Sequence, residues 1–518
     1  MTETAGDRIR QRQSQRRRPD NDVRRNGAGE VSQGVRQRVL DVEACLIDDQ
    51  RGDRACAVAR QDANRQRDLA LVGQAGRIEV EIAGLVVLEK GFGRINALPK
   101  RVRRKRQDWR SRLFIGRIGL EPRRENQMTD YVDADELAML IALRRDLHAH
   151  PELGFEETRT SAIVAERLAE SGVQVDKGLG VTGVVGTLRV GDGARAIALR
   201  ADMDALAMPE LADRPYKSTV AGKMHACGHD GHTAMLLGAA RRLARTRNFS
   251  GTVHFIFQPA EEGRGGAKAM IEQGLFRKFP VDAVYGLHNM PGLEPNQMAV
   301  VAGPQLASSD RFEISFRGVG THGAKPHLGR DAMTAAGSFL TALHTIVARL
   351  IDPLQPAVVS ACAIEGGSFE ALNVIPDVVR IGGTARAFSA SVRDQLEHEI
   401  GALANGVAAA FGVEAAYRYM RGMPPVINDP DAARRALAAA RTALGEPRVA
   451  TAFPPSTAGD DFAFFSAEAP GAYVWLGNGP AADGALHHNS RYDFNDDSLA
   501  SGIAFWTTLV EQELAKPS

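Results

Sequence analysis

Three short apolar runs in this chain each end abruptly in charged, imidazole or amide residues. Ala196 to Leu199 runs into Arg200-Ala201-Asp202-Met203-Asp204, and Thr252 to Phe257 runs into Gln258-Pro259-Ala260-Glu261-Glu262. Val281 to Leu287 runs into His288-Asn289. Helical stretches such as Thr233 to Arg247 separate them. Alternation of strand and helix implies an α/β domain with a central, mostly parallel sheet flanked by helices. In such sheets ligands bind beyond the carboxyl ends of the strands. The polar residues sit at those ends, so one crevice can collect them.

The chemistry those residues suggest is metal chemistry. Cys227-Gly228-His229-Asp230-Gly231-His232 puts a thiol, two imidazoles and a carboxylate into a stretch with two glycines. Thiolate and imidazole are the ligands a borderline-soft divalent ion prefers. Glu261-Glu262, His288 and the pair His487-His488 lie downstream. Together they offer enough ligands for two ions and one carboxylate to spare. A zinc finger is a poor reading, because no C-x₂-C pair occurs. The bland reading of Cys227 is a small buried hydrophobe, that of Asp202 a strand-end turn, and that of His232 a structural residue. His487 and His488 compete for one ligand position.

Residues from about Asp310 to Tyr419 have a different rhythm. Arg311 to Phe316 reads as a strand, Asp331 to Leu350 as a helix, and Ala357 to Ile364 and Val378 to Ala387 as strands. Val392 to Phe411 reads as a helix and Val413 to Tyr419 as a last strand. The order βαββαβ is the ferredoxin-like pattern. Metal-type residues resume after it, so residues 310–419 read as a unit inserted between two parts of a catalytic domain, 128–309 and 420–518. Amphipathic helices over Asp133 to His148 and Glu157 to Ser171 open the first part.

Charge divides the chain once more. Its net charge is +1 over 518 residues, but residues 1–127 hold 29 Lys+Arg against 18 Asp+Glu, and all 13 histidines follow them. This Arg-rich stretch shows little apolar periodicity. Two readings are open: a disordered basic arm for nucleic acid or a membrane surface, or upstream sequence read through from an early start, with Met128 the true beginning. The second is favoured, and nucleic acid is not an expected partner. No apolar run approaches the roughly 18 residues of a membrane span, and no signal peptide is evident. Four cysteines in so long a chain suggest a reducing cytoplasm.

Taken in order, the motifs resemble the M20 family of metallopeptidases and amidohydrolases, in the branch of hippurate hydrolase and indole-acetyl-amino-acid hydrolases. They are Arg200-Ala-Asp-Met-Asp204, His225-Ala-Cys-Gly-His-Asp-Gly-His232, Gln258-Pro-Ala-Glu-Glu-Gly263 and Gly286-Leu-His-Asn289. Gly320-Thr-His-Gly-Ala-Lys-Pro-His327, Asn373-Val-Ile-Pro-Asp377, Gly383-Thr-Ala-Arg386 and Tyr492-Asp-Phe-Asn495 continue the series. The resemblance spans about Arg144 to Phe494. It implies an inserted lid that often dimerises and a site for two divalent ions, Mn²⁺ or Zn²⁺. Cys227, His229, Glu262, His288 and His488 match the ligands, and Asp204 matches the carboxylate that orients an imidazole beside them. Glu261 matches the general base. His322 matches a lid histidine that helps hold the oxyanion, from the partner subunit in dimeric members. Asn373 and Arg386 match lid residues that bind the substrate's carboxylate, and His327 lines the site or sits on the lid surface. Gly459-Asp-Asp-Phe462 departs from the family's Glu-Asp-Phe, which leaves a substrate contact by Asp460 in doubt. The implied activity is hydrolysis of N-acyl or N-aroyl amino acids. The alternatives are a deacetylase or peptidase of the same fold, or a non-catalytic metal-binding dimer scaffold.

Overall fold

A computed structural model describes residues 131–481 and 484–516. The stretch 1–127, with Cys45 and Cys56, lies outside the described residues. Helix α1 (Ala134–Ala149) starts where the Asp133 carboxylate accepts from the Glu136 N–H, an N-cap. Next come α2 (Thr158–Glu170), β1 (Gln174–Leu179), β2 (Gly183–Val190) and β3 (Ala196–Asp202). Helix α3 (His229–Thr246), β4 (Gly251–Gln258), β5 (Ala283–Pro291) and β6 (Met298–Ala299) follow.

The chain then builds a second sheet. Its elements are β7 (Ser309–Arg317), β8 (Thr321–His322), α4 (Ala332–Leu343) and β9 (Ala357–Glu365). They continue through β10 (Val374–Ile375), β11 (Val378–Ala387), α5 (Ala390–Phe411) and β12 (Glu414–Met423). The chain returns with α6 (Pro430–Leu444), β13 (Val449–Ala450), α7 (Phe462–Glu468), β14 (Gly471–Gly479) and α8 (Leu499–Glu513).

The first sheet has the order β1-β2-β4-β3-β5-β14-β6-β13. Its centre, β4-β3-β5-β14, is parallel. Antiparallel pairings lie outside that centre. Both faces are covered, which explains the continuous apolar runs. Ile197, Leu199, Val253, Phe255 and Phe257 point to one layer, with Phe505 and Trp506 of α8. Ala198 and Ile256 point to the other, with Phe462 and Phe465 of α7. Among the described residues no helix is long and apolar enough to cross a membrane.

The second sheet runs β9-β11-β7-β12, all antiparallel. Phe312, Ile314 and Phe316 of β7 alternate onto one face and share a core with Phe339 of α4 and Leu396 and Ile400 of α5. With α4 and α5 this is a βαββαβ unit in strand order 2-3-1-4.

Two helices differ from expectation. Helix α3 begins at His229, four residues before Thr233. Gly228 (φ 96°) turns the chain left-handed immediately before it, so both His229 and His232 lie in the first turn. Helix α4 stops at Leu343, and Ile346–Leu350 form a wider π-type turn, instead of one helix to Leu350.

Candidate metal centre and catalytic site

The carboxyl end of β3 carries Arg200 and Asp202, and Asp204 follows two residues on. Arg200 is fully buried, so its charge needs partners. Its Nε donates to Gln258 Oε1 on β4 at 2.8 Å. Its two amino groups reach Asp202 Oδ2 at 2.8 Å and Asp460 Oδ1 at 3.0 Å. One guanidinium thus ties two neighbouring strand ends to the loop before α7. Asp460 also accepts from Tyr473 Oη and from the Phe462 N–H, so its oxygens are occupied within the protein.

The imidazoles are oriented from behind. His229 Nδ1 lies 2.9 Å from the Asp204 carbonyl and 3.2 Å from Asp204 Oδ1. Both are acceptors, so Nδ1 carries a hydrogen and Nε2 is the nitrogen turned toward the cluster. That Nε2 is buried and has no hydrogen-bond partner. His288 repeats the device: Nδ1 lies 2.7 Å from the Asn289 carbonyl, and Nε2 faces Cys227 Sγ at 3.4 Å. Asp204 Oδ2 accepts from the Glu262 N–H at 2.9 Å, so one carboxylate braces two neighbours of the cluster. His488, at φ 60°, brings Nε2 to 3.2 Å from Glu262 Oε1. His487 instead sets its ring against His288, with centroids 4.9 Å apart.

Cys227, His229 and Glu262 offer ligand atoms within 4.8 Å of one another, and His229 groups in the same way with Asp202, His232 and His288. Of these His232 is already engaged at both nitrogens, by Asp202 Oδ1 at 2.6 Å and by the Asn289 N–H at 3.0 Å. The donor set therefore fits a metal: a thiol, imidazole nitrogens and a carboxylate converge, with His229, His288 and Glu262 braced by Asp204 and by backbone carbonyls.

The electrostatics agree. Burial alone would depress His229, but the Asp202 and Asp204 carboxylates and Glu262 outweigh it and hold the imidazole up at about 10. A field that favours an imidazolium there also favours a cation. Burial first, and then Glu262 and Glu261, push the Cys227 thiol well above its ordinary value. Glu261 is buried beside Asp460 and Asp461, and burial followed by these carboxylates pushes it well up. It stands next to Glu262 in the chain but faces the other way in composition, toward acids and not toward imidazoles.

The other expected residues lie on the second sheet's unit. His322 pairs in register with Val374, and the Gly323 N–H donates to the Asn373 carbonyl at 2.6 Å, so His322 and Asn373 are neighbours. His327 lies in the turn Pro326–Leu328 that follows. Arg386 is elsewhere. The far end of β11, Val378, pairs with Arg317 of β7, whereas Arg386 stands at the opposite end, paired with Val358 of β9. Eight residues of strand separate them, about 26 Å. Among the described residues, no hydrogen bond or ion pair joins these four to the metal-type cluster.

Sequence reasoning overlooked the bracing groups: Arg200 as a hub, Asp460, Tyr473, Asn289, and the Arg144–His148–Asp230 network behind α3. A signal existed for Arg200, since a charge ending an apolar run must find buried carboxylates. The others have no local signature.

An α/β sheet with a cluster of soft and hard metal donors at its strand ends, and a separate buried acid alongside, is the layout of a candidate metallohydrolase site. The model of Peptidase family M20/M25/M40 matches residues 198–512, and the chain belongs to that family. It is accordingly an amidohydrolase- or peptidase-type enzyme. Hippurate hydrolase of Campylobacter jejuni is 41% identical over 368 residues, 71% of this chain and 94% of that protein. N-acetyl-L-cysteine deacetylase of Bacillus subtilis is 40% identical over 351 residues, 67% and 82% of the two chains. A crystal structure of a dinuclear metal-binding M20 peptidase from Bacillus subtilis aligns with a TM-score of 0.63 at 33% identity, covering 73% of this chain and 99% of that one.

Proposed function

We propose that this enzyme hydrolyses the amide bond of N-acyl or N-aroyl amino acids, as a hippurate hydrolase does. The observation that carries the reading is the division of labour between neighbours. Glu262 joins Cys227 and His229, while Glu261 lies outside that group, buried with Asp460 and Asp461. A metal-binding scaffold has no use for such an acid.

Cys227, His229, Glu262, His288 and His488 would hold two divalent ions, Mn²⁺ or Zn²⁺. When bound, such ions supply Lewis-acid activation of water and of the amide carbonyl. Glu261 takes a proton from the attacking water and returns it to the leaving amine. To act as a base it must be a carboxylate, the form that cations held at the neighbouring Glu262 would favour. Asp204 fixes the tautomer of His229. Arg386 and Asn373 bind the substrate's carboxylate, His322 donates to the oxyanion, and His327 lines the site. The length of β11 from Arg386 to Val378, the end that follows Asn373 in the chain, favours a site shared by two copies, in a homodimer joined through the four-stranded lid. Free Cys227 and Cys362 suit a cytoplasmic enzyme.

The test is turnover of a panel of N-acyl amino acids, N-benzoylglycine and N-acetylcysteine among them, with Mn²⁺ or Zn²⁺ added to metal-free protein. Preference for the benzoyl substrate is expected. Preference for the acetyl substrate would favour the deacetylase reading, in line with the deacetylase relative. No turnover at two metals per chain would leave the scaffold.

A further inference from the structure

The βαββαβ unit joins the rest of the chain through a narrow neck, and one carboxylate sits at its centre. Asp310 is fully buried near the start of β7. Its Oδ1 accepts from an Arg393 amino group at 2.6 Å and from the Gly422 N–H at 2.9 Å. Its Oδ2 accepts from Arg393 Nε at 2.8 Å and from Tyr419 Oη at 2.9 Å. Four donors on two oxygens, with a bidentate guanidinium among them, make this a fully satisfied buried ion pair. The donors come from α5 and from β12, the last strand before the chain leaves the unit. Asp310 therefore fastens the incoming strand to the outgoing one.

The two strands meet closely there. The ladder between β12 and β7 shifts register between Met420 and Met423. A Cβ on Gly422 would fall 2.2 Å from the Ser309 carbonyl oxygen, so only glycine lets the backbones approach. Ser308 completes the neck from the other side. Its N–H donates to the Ala387 carbonyl at 2.7 Å, and its hydroxyl accepts from the Ala387 N–H at 3.0 Å.

Arg386 stands inside this knot. One of its amino groups donates to the carbonyls of Asp310 at 3.4 Å and Ala385 at 3.0 Å, and to the Thr384 hydroxyl. Thr384 in turn donates to the same Asp310 carbonyl at 2.8 Å. The rest of the guanidinium has no protein partner among the described residues and is left for a ligand. Asp310 is thus bound twice over: its carboxylate to the neck, its carbonyl to the seat of Arg386.

We propose that Asp310 is a positioning residue for recognition of the substrate's carboxylate, its side chain locking the neck so that its carbonyl holds Arg386 in place. This rests on Arg386 being the carboxylate's partner. Loosening the neck should let the guanidinium wander, weakening binding of an anionic substrate without touching the hydrolytic residues.

The experiment uses the metal-loaded enzyme, with N-acyl amino acids and their carboxamide counterparts as substrates. Tyr419→Phe removes one of the four donors and keeps the fold, while Asp310→Asn removes the charge. For the carboxylate substrate, KM should rise about tenfold in Asp310→Asn, the order of a misplaced charge-assisted hydrogen bond. It should rise severalfold in Tyr419→Phe, with kcat nearly unchanged in both and the carboxamide KM unmoved. Should Asp310→Asn prove insoluble, Tyr419→Phe decides alone. A fall in kcat shared by both substrates, or an unchanged carboxylate KM in the folded variants, overturns the proposal. Arg386→Ala separates the two layers. If it raises the carboxylate KM while the neck variants do not, Arg386 keeps its role and Asp310 loses its own. If Arg386→Ala changes nothing, the reading of Arg386 fails.

Discussion

His148 offers a quantitative test of the network behind the metal-type cluster. It is fully buried on α1, with Nδ1 2.9 Å from Asp230 Oδ2 and Nε2 3.4 Å from Glu210 Oε1. Burial would lower its pKa, but the hydrogen bonds to Asp230 and Glu210 win and raise it from 6.5 to about 9. A raised pKa in the folded state means that the folded protein binds the proton more tightly. The stabilisation is then complete below the unfolded value and is lost as pH rises through the folded one. The full shift corresponds to about 3 kcal/mol. His148→Gln keeps a donor of similar size but carries no titrating charge. Urea unfolding of metal-free wild type and variant at pH 6 and pH 9.5 measures the difference at each pH. The variant should be destabilised by about 3 kcal/mol more at pH 6 than at pH 9.5. An equal deficit at both pH values, or a larger one at high pH, would show that His148 is held neutral and that the reasoning is wrong.

Three further outcomes are expected. Glu261→Gln should fold, retain both metals and lose kcat by roughly 10²–10⁴, whereas Glu262→Gln should lose metal first; metal analysis beside steady-state kinetics tells them apart, and the reverse pattern would exchange the two roles. Cys227→Ser should hold fewer than two metals per chain by elemental analysis, and normal content with normal rates would reduce Cys227 to a packing residue. Gly228→Ala should cost about 1–3 kcal/mol of stability by thermal or urea unfolding and weaken metal binding. The new Cβ would sit on a backbone at φ 96° and stand 2.4 Å from Asn289 Oδ1; an unperturbed variant would mean that the turn before α3 does not require glycine.

Much of this protein was legible in one dimension because its signals are local. Apolar runs ending in acids and histidines mark buried strands delivering ligands to one edge. The βαββαβ rhythm of residues 310–419 is visible from periodicity alone, and the Cys227–His232 stretch announces metal chemistry by its donor types. Ordered motifs then identified the family, since each is a short run of neighbours in the chain.

What tertiary structure decided is everything that depends on contacts distant in sequence. His229 and His288 turn Nε2 into the cluster because backbone carbonyls and Asp204 hold the opposite nitrogens, whereas His232, three residues after His229, is engaged at both by Asp202 and Asn289. By residue type alone those three imidazoles are alike, and only the resemblance to the family separates His232 from the ligands. Likewise Arg386 and His322 look like partners in the motif series, yet Arg386 lies on β11 of the four-stranded sheet and His322 on β8, which among the described residues pairs only with β10. Arg200, Asp310 and His148 act through carboxylates, amides and guanidiniums tens or hundreds of residues away. Residue type and spacing determine which chemistry is available. Only packing decides which lone pair is left over, because a buried polar atom takes whatever partner the fold brings within about 3 Å.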